Sequence, residues 1–251
     1  MTTHAVPRTR EFTNGDVSFW YRQAGLPDTF RASLPGSREY DVCIVGGGFT
    51  GLWTAYYLKT AQPDLRVAIL EKEFAGFGAS GRNGGWLSAE MAGSRERYAA
   101  AHGRGAVTAM QRAMFGTVDE VIRVAADQDI DADIVKGGLT HVATNPAQRR
   151  RLHAELAESR RWGFGEEDLR LLTRDELEGR LRVAGALDGT HSPHCARIQP
   201  AKLVRGLARV VEALGVDIFE RTAVTEIRPR ADGLAAAVTD RGTVRAEYVL
   251  R

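Results

Sequence analysis

Apolar residues recur along this chain in two rhythms. Short runs rich in β-branched side chains, at 41–45 and 66–70, have the length of buried strands and are too short for helices. Residues 216–219 and 222–227 also predict strands, and 234–239 with 243–250 predict a hairpin around 240–242. The other rhythm repeats at three and four. It predicts a helix over 52–58, and a long amphipathic one within 94–126 from Val107, Met110, Met114, Val118, Val121, Ile122 and Ala125, with Gly116 counting against an unbroken helix. Asn145 as N-cap before Pro146 opens a helix expected to run to Trp162 and stop near Gly163. Thr173 and Glu176 have capping-box spacing for a short helix through Leu181. Pro200 opens a helix over 201–214 with Val204, Leu207, Val211 and Leu214 as its buried face and Gly215 as its cap. Residues 134–143 read as two short strands around Gly137 and Gly138, with His141 in the second.

The two glycine-rich stretches change the picture most. Gly46-Gly47-Gly48-Phe49-Thr50-Gly51 is a G-x-G-x-x-G lying between the first strand and the first helix, the context that gives the motif its meaning. Gly46 turns the chain, Gly48 lets a diphosphate approach the backbone, and Gly51 lets helix and strand pack closely. Glu71, followed by Lys72, closes the second strand about twenty residues later, where a carboxylate accepts from ribose hydroxyls. These features indicate a dinucleotide and leave NAD and FAD both open. The next stretch, 73–86, carries glycine at 76, 78, 81, 84 and 85 where a nicotinamide fold would usually enter a helix. Each glycine costs a helix about 1 kcal/mol relative to alanine, so this is a loop whose backbone comes close to something. Phe74, Phe77 and Trp86 are expected to pack it down.

Residues 45–52, Glu71 and the run Gly78-Ala79-Ser80-Gly81-Arg82-Asn83-Gly84-Gly85 resemble the FAD-dependent amine oxidases of the D-amino-acid oxidase superfamily, nearest to the γ-glutamylputrescine oxidase-like branch. The resemblance covers nearly all of the chain from Ser18 onward. It implies an α/β fold: a Rossmann-like FAD-binding domain with part of a substrate domain. It implies FAD as cofactor, with Gly46, Gly48, Phe49, Thr50 and Gly51 at the diphosphate and Glu71 with Lys72 at the adenosine ribose. Gly78, Ala79, Ser80, Arg82, Asn83, Gly84, Gly85 and Trp86 would lie on the diphosphate–isoalloxazine side. The position matching Val224 brackets the adenine in that family. The expected division is an arm over 1–39, an FAD-binding domain over 40–90 and 195–251, and an insertion over 91–194. The family pattern continues beyond the strand that ends here, so the chain is expected to be an N-terminal portion.

Composition narrows the partners. A net charge of +2 in 251 residues, with arginines scattered among acids, gives no ground for nucleic acid; Arg149-Arg150-Arg151 reads as a solvated helix face. No apolar run spans a bilayer, and residues 1–10 carry no secretory core, so no membrane partner and a cytoplasmic location are expected. Cys43, in the first strand, and Cys195 form no disulfide framework. His191, His194 and Cys195 miss zinc spacing and read as a loop rather than a metal site. Ser18-Phe19-Trp20-Tyr21 is expected to pin an N-terminal arm, after a loose polar stretch over 1–17. The resemblance implies oxidation of a C–N bond in a small-molecule amine with O2 as reoxidant; no residue qualifies as a catalytic base. The rival readings are a catalytically silent flavin-binding module and a nicotinamide-dependent dehydrogenase.

Overall fold

The computed structural model describes residues 17–229 and 233–251, and the expectation for 1–16 lies outside them. The chain divides into two compact units: Met1–Gly84, Ala125–Ala132 and Gln199–Arg251 form one, Gly85–Val124 and Asp133–Ile198 the other.

The first unit is built on strands and two long helices. In chain order it holds α1 (Phe19–Ala24), β1 (Arg38–Val45), α2 (Phe49–Ala61) and β2 (Val67–Leu70). The second unit supplies β3 (Trp86–Ser88), α3 (Arg95–His102), α4 (Arg104–Asp127, whose last residues count with the first unit), β4 (Leu139–Ala143) and α5 (Pro146–Arg161). It continues with β5 (Arg170–Leu171), α6 (Arg174–Arg180), β6 (Asp188–Ser192) and β7 (Cys195–Arg197). The chain then returns through α7 (Pro200–Ala213), β8 (Asp217–Phe219), β9 (Val224–Arg228), β10 (Ala235–Thr239) and β11 (Gly242–Leu250).

Six strands of the first unit form one sheet in the order β8-β2-β1-β11-β10-β9. The first four are mutually parallel, with Cys43 opposite Ala68 and Val249, and the last three run antiparallel as a meander. All four residues of β2 are buried, as expected of a parallel strand covered on both faces. Tyr40, Cys43, Ala68, Leu70, Phe219, Val244 and Ala246 pack into its core. The mixed α/β fold with a parallel sheet is therefore the one the sequence predicts. On α7 the buried face includes Val204, Leu207 and Val211 but not Leu214, which follows the helix and is exposed; Leu203 and Val210 are buried as well.

The second unit carries a three-stranded antiparallel sheet, β4-β6-β5, and the pair β3-β7. Three local expectations change here. The helical stretch breaks at Gly103, φ +83°, rather than at Gly116, which sits inside an unbroken α4 with open space beside it. The supposed hairpin over 134–143 is absent: β4 pairs with β6, and Val135 only bridges Arg197, because the long-range partner offers a full strand. In the segment 191–195 the loop shrinks to Pro193 and His194, since β6 ends at Ser192 and β7 starts at Cys195. The caps are as expected. Asn145 accepts from the Gln148 amide, and Thr173 and Glu176 make both capping-box bonds.

Candidate functional site

β1 delivers the chain to Gly46, which turns at φ +107° and donates its N–H to the Leu70 carbonyl at 2.8 Å. Gly48 is the N-cap of α2 and has no side chain to close the first turn. That leaves the start of a thirteen-residue helix, with its partial positive charge, facing outward from the strand ends. One amide there is taken: the Phe49 N–H donates to Ser80 Oγ at 2.8 Å. The Gly76 N–H donates to the Gly47 carbonyl at 2.9 Å, and a Cβ on Gly48 would stand 3.0 Å from Ser80 Oγ. The two glycine-rich stretches, about thirty residues apart, thus meet as the two sides of one cradle.

Glu71 lies at the end of β2 and turns back toward the first of them. Its Oε2 accepts from the Gly47 amide at 2.8 Å and its Oε1 from the Glu73 amide at 2.9 Å. A carboxylate oxygen has room for a second donor, so these bonds orient the group and leave it able to accept from hydroxyls. The segment after β8 runs alongside: Glu71 N–H donates to the Phe219 carbonyl, and Thr222 N–H to the Glu71 carbonyl, both at 2.9 Å. Two residues further, Val224 begins β9, partly buried against the sheet core. Lys72 is exposed.

Along the second stretch, Ala79–Gly81 is a single 3-10 turn. Gly78 and Gly84 are exposed, and nothing lies within 4 Å of where a Cβ would be. Arg82 folds onto its own loop, donating from Nε to the Phe77 carbonyl at 2.7 Å with its guanidinium 4.4 Å from the Phe77 ring centroid. Asn83 donates from Nδ2 to the Ser80 carbonyl at 2.9 Å. Gly85 and Trp86 belong to the second unit, where the Gly85 carbonyl accepts from the Ile198 amide and Trp86 opens β3. Of the three aromatics expected to hold the loop down, Phe74 and Phe77 do so, packing with Tyr21 and Ala201; the Trp86 side is 64% exposed and does not.

Glu220 was not legible as a site residue. It is 1% exposed; its Oε1 accepts from the Ala75 amide at 2.9 Å and from Arg31, and its Oε2 accepts from the Arg31 amide at 2.8 Å. It joins the N-terminal segment to the start of the loop. The only cue in the sequence is an acid next to a strand, which carries no motif.

Burial pushes the Cys43 thiol up to about 12, which makes it an inert core residue. In the second unit burial lowers His191, whose Nδ1 faces Thr140 Oγ1 at 3.1 Å, while His194 stacks on Phe115 and contacts Asp168 at 3.1 Å. These histidines have separate partners, and no metal-capable cluster of three or more His, Cys, Asp or Glu occurs among the described residues. No described helix is long and apolar enough to cross a membrane. What the cradle offers is a helix start for an anion, a carboxylate for hydroxyls, and a backbone with two open glycines, the donor and acceptor set of a diphosphate-bridged dinucleotide.

Comparison with known proteins agrees with this chemistry. The family model DAO, described as FAD dependent oxidoreductase, matches residues 41–250. The chain is 34% identical over 222 residues to the gamma-glutamylputrescine oxidoreductase of Escherichia coli (strain K12), covering 87% of this chain and 50% of that protein. It is 29% identical over 217 residues to the glycine oxidase of Geobacillus kaustophilus (strain HTA426), covering 85% and 54%. The crystal structure of glycine oxidase from Geobacillus kaustophilus superposes with a TM-score of 0.63 over 84% of this chain and 54% of that one. The chain spans about half the length of the curated relatives it matches.

Proposed function

This chain belongs to the DAO family of FAD-dependent oxidoreductases, and on that premise we propose that it serves the oxidation of a C–N bond in a small amine, with the γ-glutamylputrescine type of N-substituted amine as substrate class and O2 as the terminal acceptor. Bound FAD supplies the acceptor for a hydride equivalent from the carbon next to a neutral amine nitrogen. The observation that carries the reading is the bond from the Phe49 amide to Ser80 Oγ, which makes one cradle of the two glycine-rich stretches.

The chain's own residues bind and orient. Gly48 and Thr50 bring backbone amides and the positive end of α2 to the diphosphate, with Gly46 turning the chain beneath it, Gly51 packing helix on strand, and the Phe49 amide held in place by Ser80. Glu71, fixed by two backbone amides, accepts from the ribose hydroxyls, with Lys72 next to it in solvent. Val224 offers extended backbone to the adenine from the start of β9. Gly78, Ala79, Ser80, Asn83 and Gly84 line the side toward the ring, and Gly85 and Trp86 follow them along the chain. Arg82 neutralises charge at the diphosphate only by leaving Phe77. No side chain of this chain is assigned as proton acceptor for the amine.

Half-length coverage favours one second reading: a flavin-binding module that is silent without further polypeptide. Absorbance and anaerobic titration separate the two. Purified protein should show a flavin band at about 450 nm. Bleaching of that band by γ-glutamylputrescine under argon supports the oxidase, a stable band supports the silent module, and protein that is colourless and stays so after incubation with FAD and removal of the unbound flavin rules out both.

A further inference from the structure

The glycine-rich loop is shaped from outside, by an element the cofactor chemistry does not use. Helix α1 is six residues long, and its N-cap Ser18 and its Trp20 each donate to a carbonyl of the loop. Ser18 Oγ donates to the Gly81 carbonyl at 2.7 Å, and Trp20 Nε1 donates to the Asn83 carbonyl at 2.7 Å. The helix is itself anchored to α7, since Gln199 Nε2 donates to the Trp20 carbonyl at 3.1 Å and Arg205 to the Gly25 carbonyl at 3.0 Å. Between these ties the Tyr21 side chain is fully buried against the loop, edge-on to Phe74.

The glycines of the loop fall into two kinds accordingly. A Cβ on Gly76 would run into Val204 and stand 2.8 Å from Tyr21 Oη; one on Gly81 would run into the Gly76 carbonyl and stand 2.7 Å from Tyr21 Cε2. Gly78 and Gly84 have open space instead. So the arm, together with Val204 of α7 and the Gly76 carbonyl, closes the space beside Gly76 and Gly81, while Gly78 and Gly84 are open on the side left to a ligand. A carbonyl bonded to the arm fixes the peptide plane that carries it. The N–H at the other end of the plane then has a fixed direction as well.

We infer that Ser18, Trp20 and Tyr21 are positioning residues for the cofactor. They hold the peptide planes following Gly81 and Asn83, and they keep the 78–84 backbone in the conformation that receives the flavin dinucleotide. This rests on the flavin reading above and adds residues that touch the loop rather than the cofactor. The arm preorganises a binding backbone, so its loss appears as an ordering cost at the moment of binding.

The double variant Ser18→Ala/Trp20→Phe tests it in the full chain, with Gln23→Ala as control because Gln23 lies on the same helix and is exposed. Two quantities are measured: amide hydrogen exchange over 78–84 without flavin, and the FAD dissociation constant by fluorescence titration. Two net hydrogen bonds correspond to about a thirtyfold change. Exchange over 78–84 should accelerate, and FAD should bind about thirtyfold more weakly, while β1 and β2 keep their protection and the control behaves as wild type. Unchanged exchange, or unchanged affinity, overturns the inference. If the double variant loses protection in the sheet as well, Trp20→Phe alone is read by the same two measurements. Wild-type protein that binds no FAD overturns the proposed function, and this inference falls with it.

Discussion

At 46–51 the chain turns through Gly46, φ +107°, and five residues on passes so close to the Gly46 carbonyl that a methyl at Gly51 would overlap it. At 76–81 Gly76, φ +86°, and Gly81 repeat the arrangement. The two differ in what closes them. The first is closed from its own strand, where Ile44 would stand 3.1 Å from a Gly51 Cβ; the second is closed by Tyr21, some sixty residues away in sequence. A motif read along the chain is complete in the first case and half-complete in the second, because the wall of the second loop comes from an arm with no motif of its own.

The sharpest way to break this comparison is Gly51→Ala. Within a helix the exchange ordinarily gains about 1 kcal/mol. Here the new methyl meets backbone on one side and a core side chain on the other, so a net loss of about 2 kcal/mol or more is expected, together with loss of FAD binding. Chemical denaturation and flavin titration check both; a stabilised variant would mean that the close approach is not rigid. Next in size is Glu220→Gln, which takes from Arg31 one of its two carboxylates, Glu212 remaining at 2.6 Å, and weakens the join between arm and loop. A loss of about 1.5 kcal/mol is expected by denaturation, the size of one hydrogen bond to a charged group. Gly78→Ala and Gly84→Ala sharpen the comparison from the other side. Nothing occupies the space beside them, so stability should stay within about 0.5 kcal/mol while FAD affinity falls.

The smallest effect belongs to the second unit, which has no such loop. The Asp188 carboxyl is held below the usual carboxylate range by His153, which contacts it at 2.7 Å, and by Arg149 at 2.6 Å. A depressed carboxyl stabilises the fold fully above its unfolded value of about 3.9 and loses that contribution as pH falls through the lower folded value. Because both partners are half-exposed, Asp188→Asn should cost only about 0.5 kcal/mol at neutral pH. The difference from wild type should vanish in acid melts and shrink in salt. The same difference in the Gly51→Ala background would show that the two units respond independently.

Much of the fold was legible because its signals are local. The run 41–45, the glycines behind it and Glu71 lie within about thirty residues, and strand, turn, helix and acid each leave their own mark there. The caps at Asn145 and Thr173 were legible for the same reason: the donor and acceptor are three residues apart. Where a choice depended on distant chain, local pattern misled. Gly116 carries the same intrinsic helix penalty wherever it sits, yet α4 runs through it, and the break falls at Gly103, which takes the positive φ. Residues 134–143 had the composition of a hairpin, but β6 was the better partner.

The order of residues alone determined that a strand, a glycine turn and a helix would form a dinucleotide cradle, since chain geometry and helix dipole act over a few residues. Only the tertiary structure decided which glycines have open space beside them and which face Tyr21, and that the buried carboxylate of Glu220 ties arm to loop. Close approach and burial are properties of the space between segments, and no single segment records them.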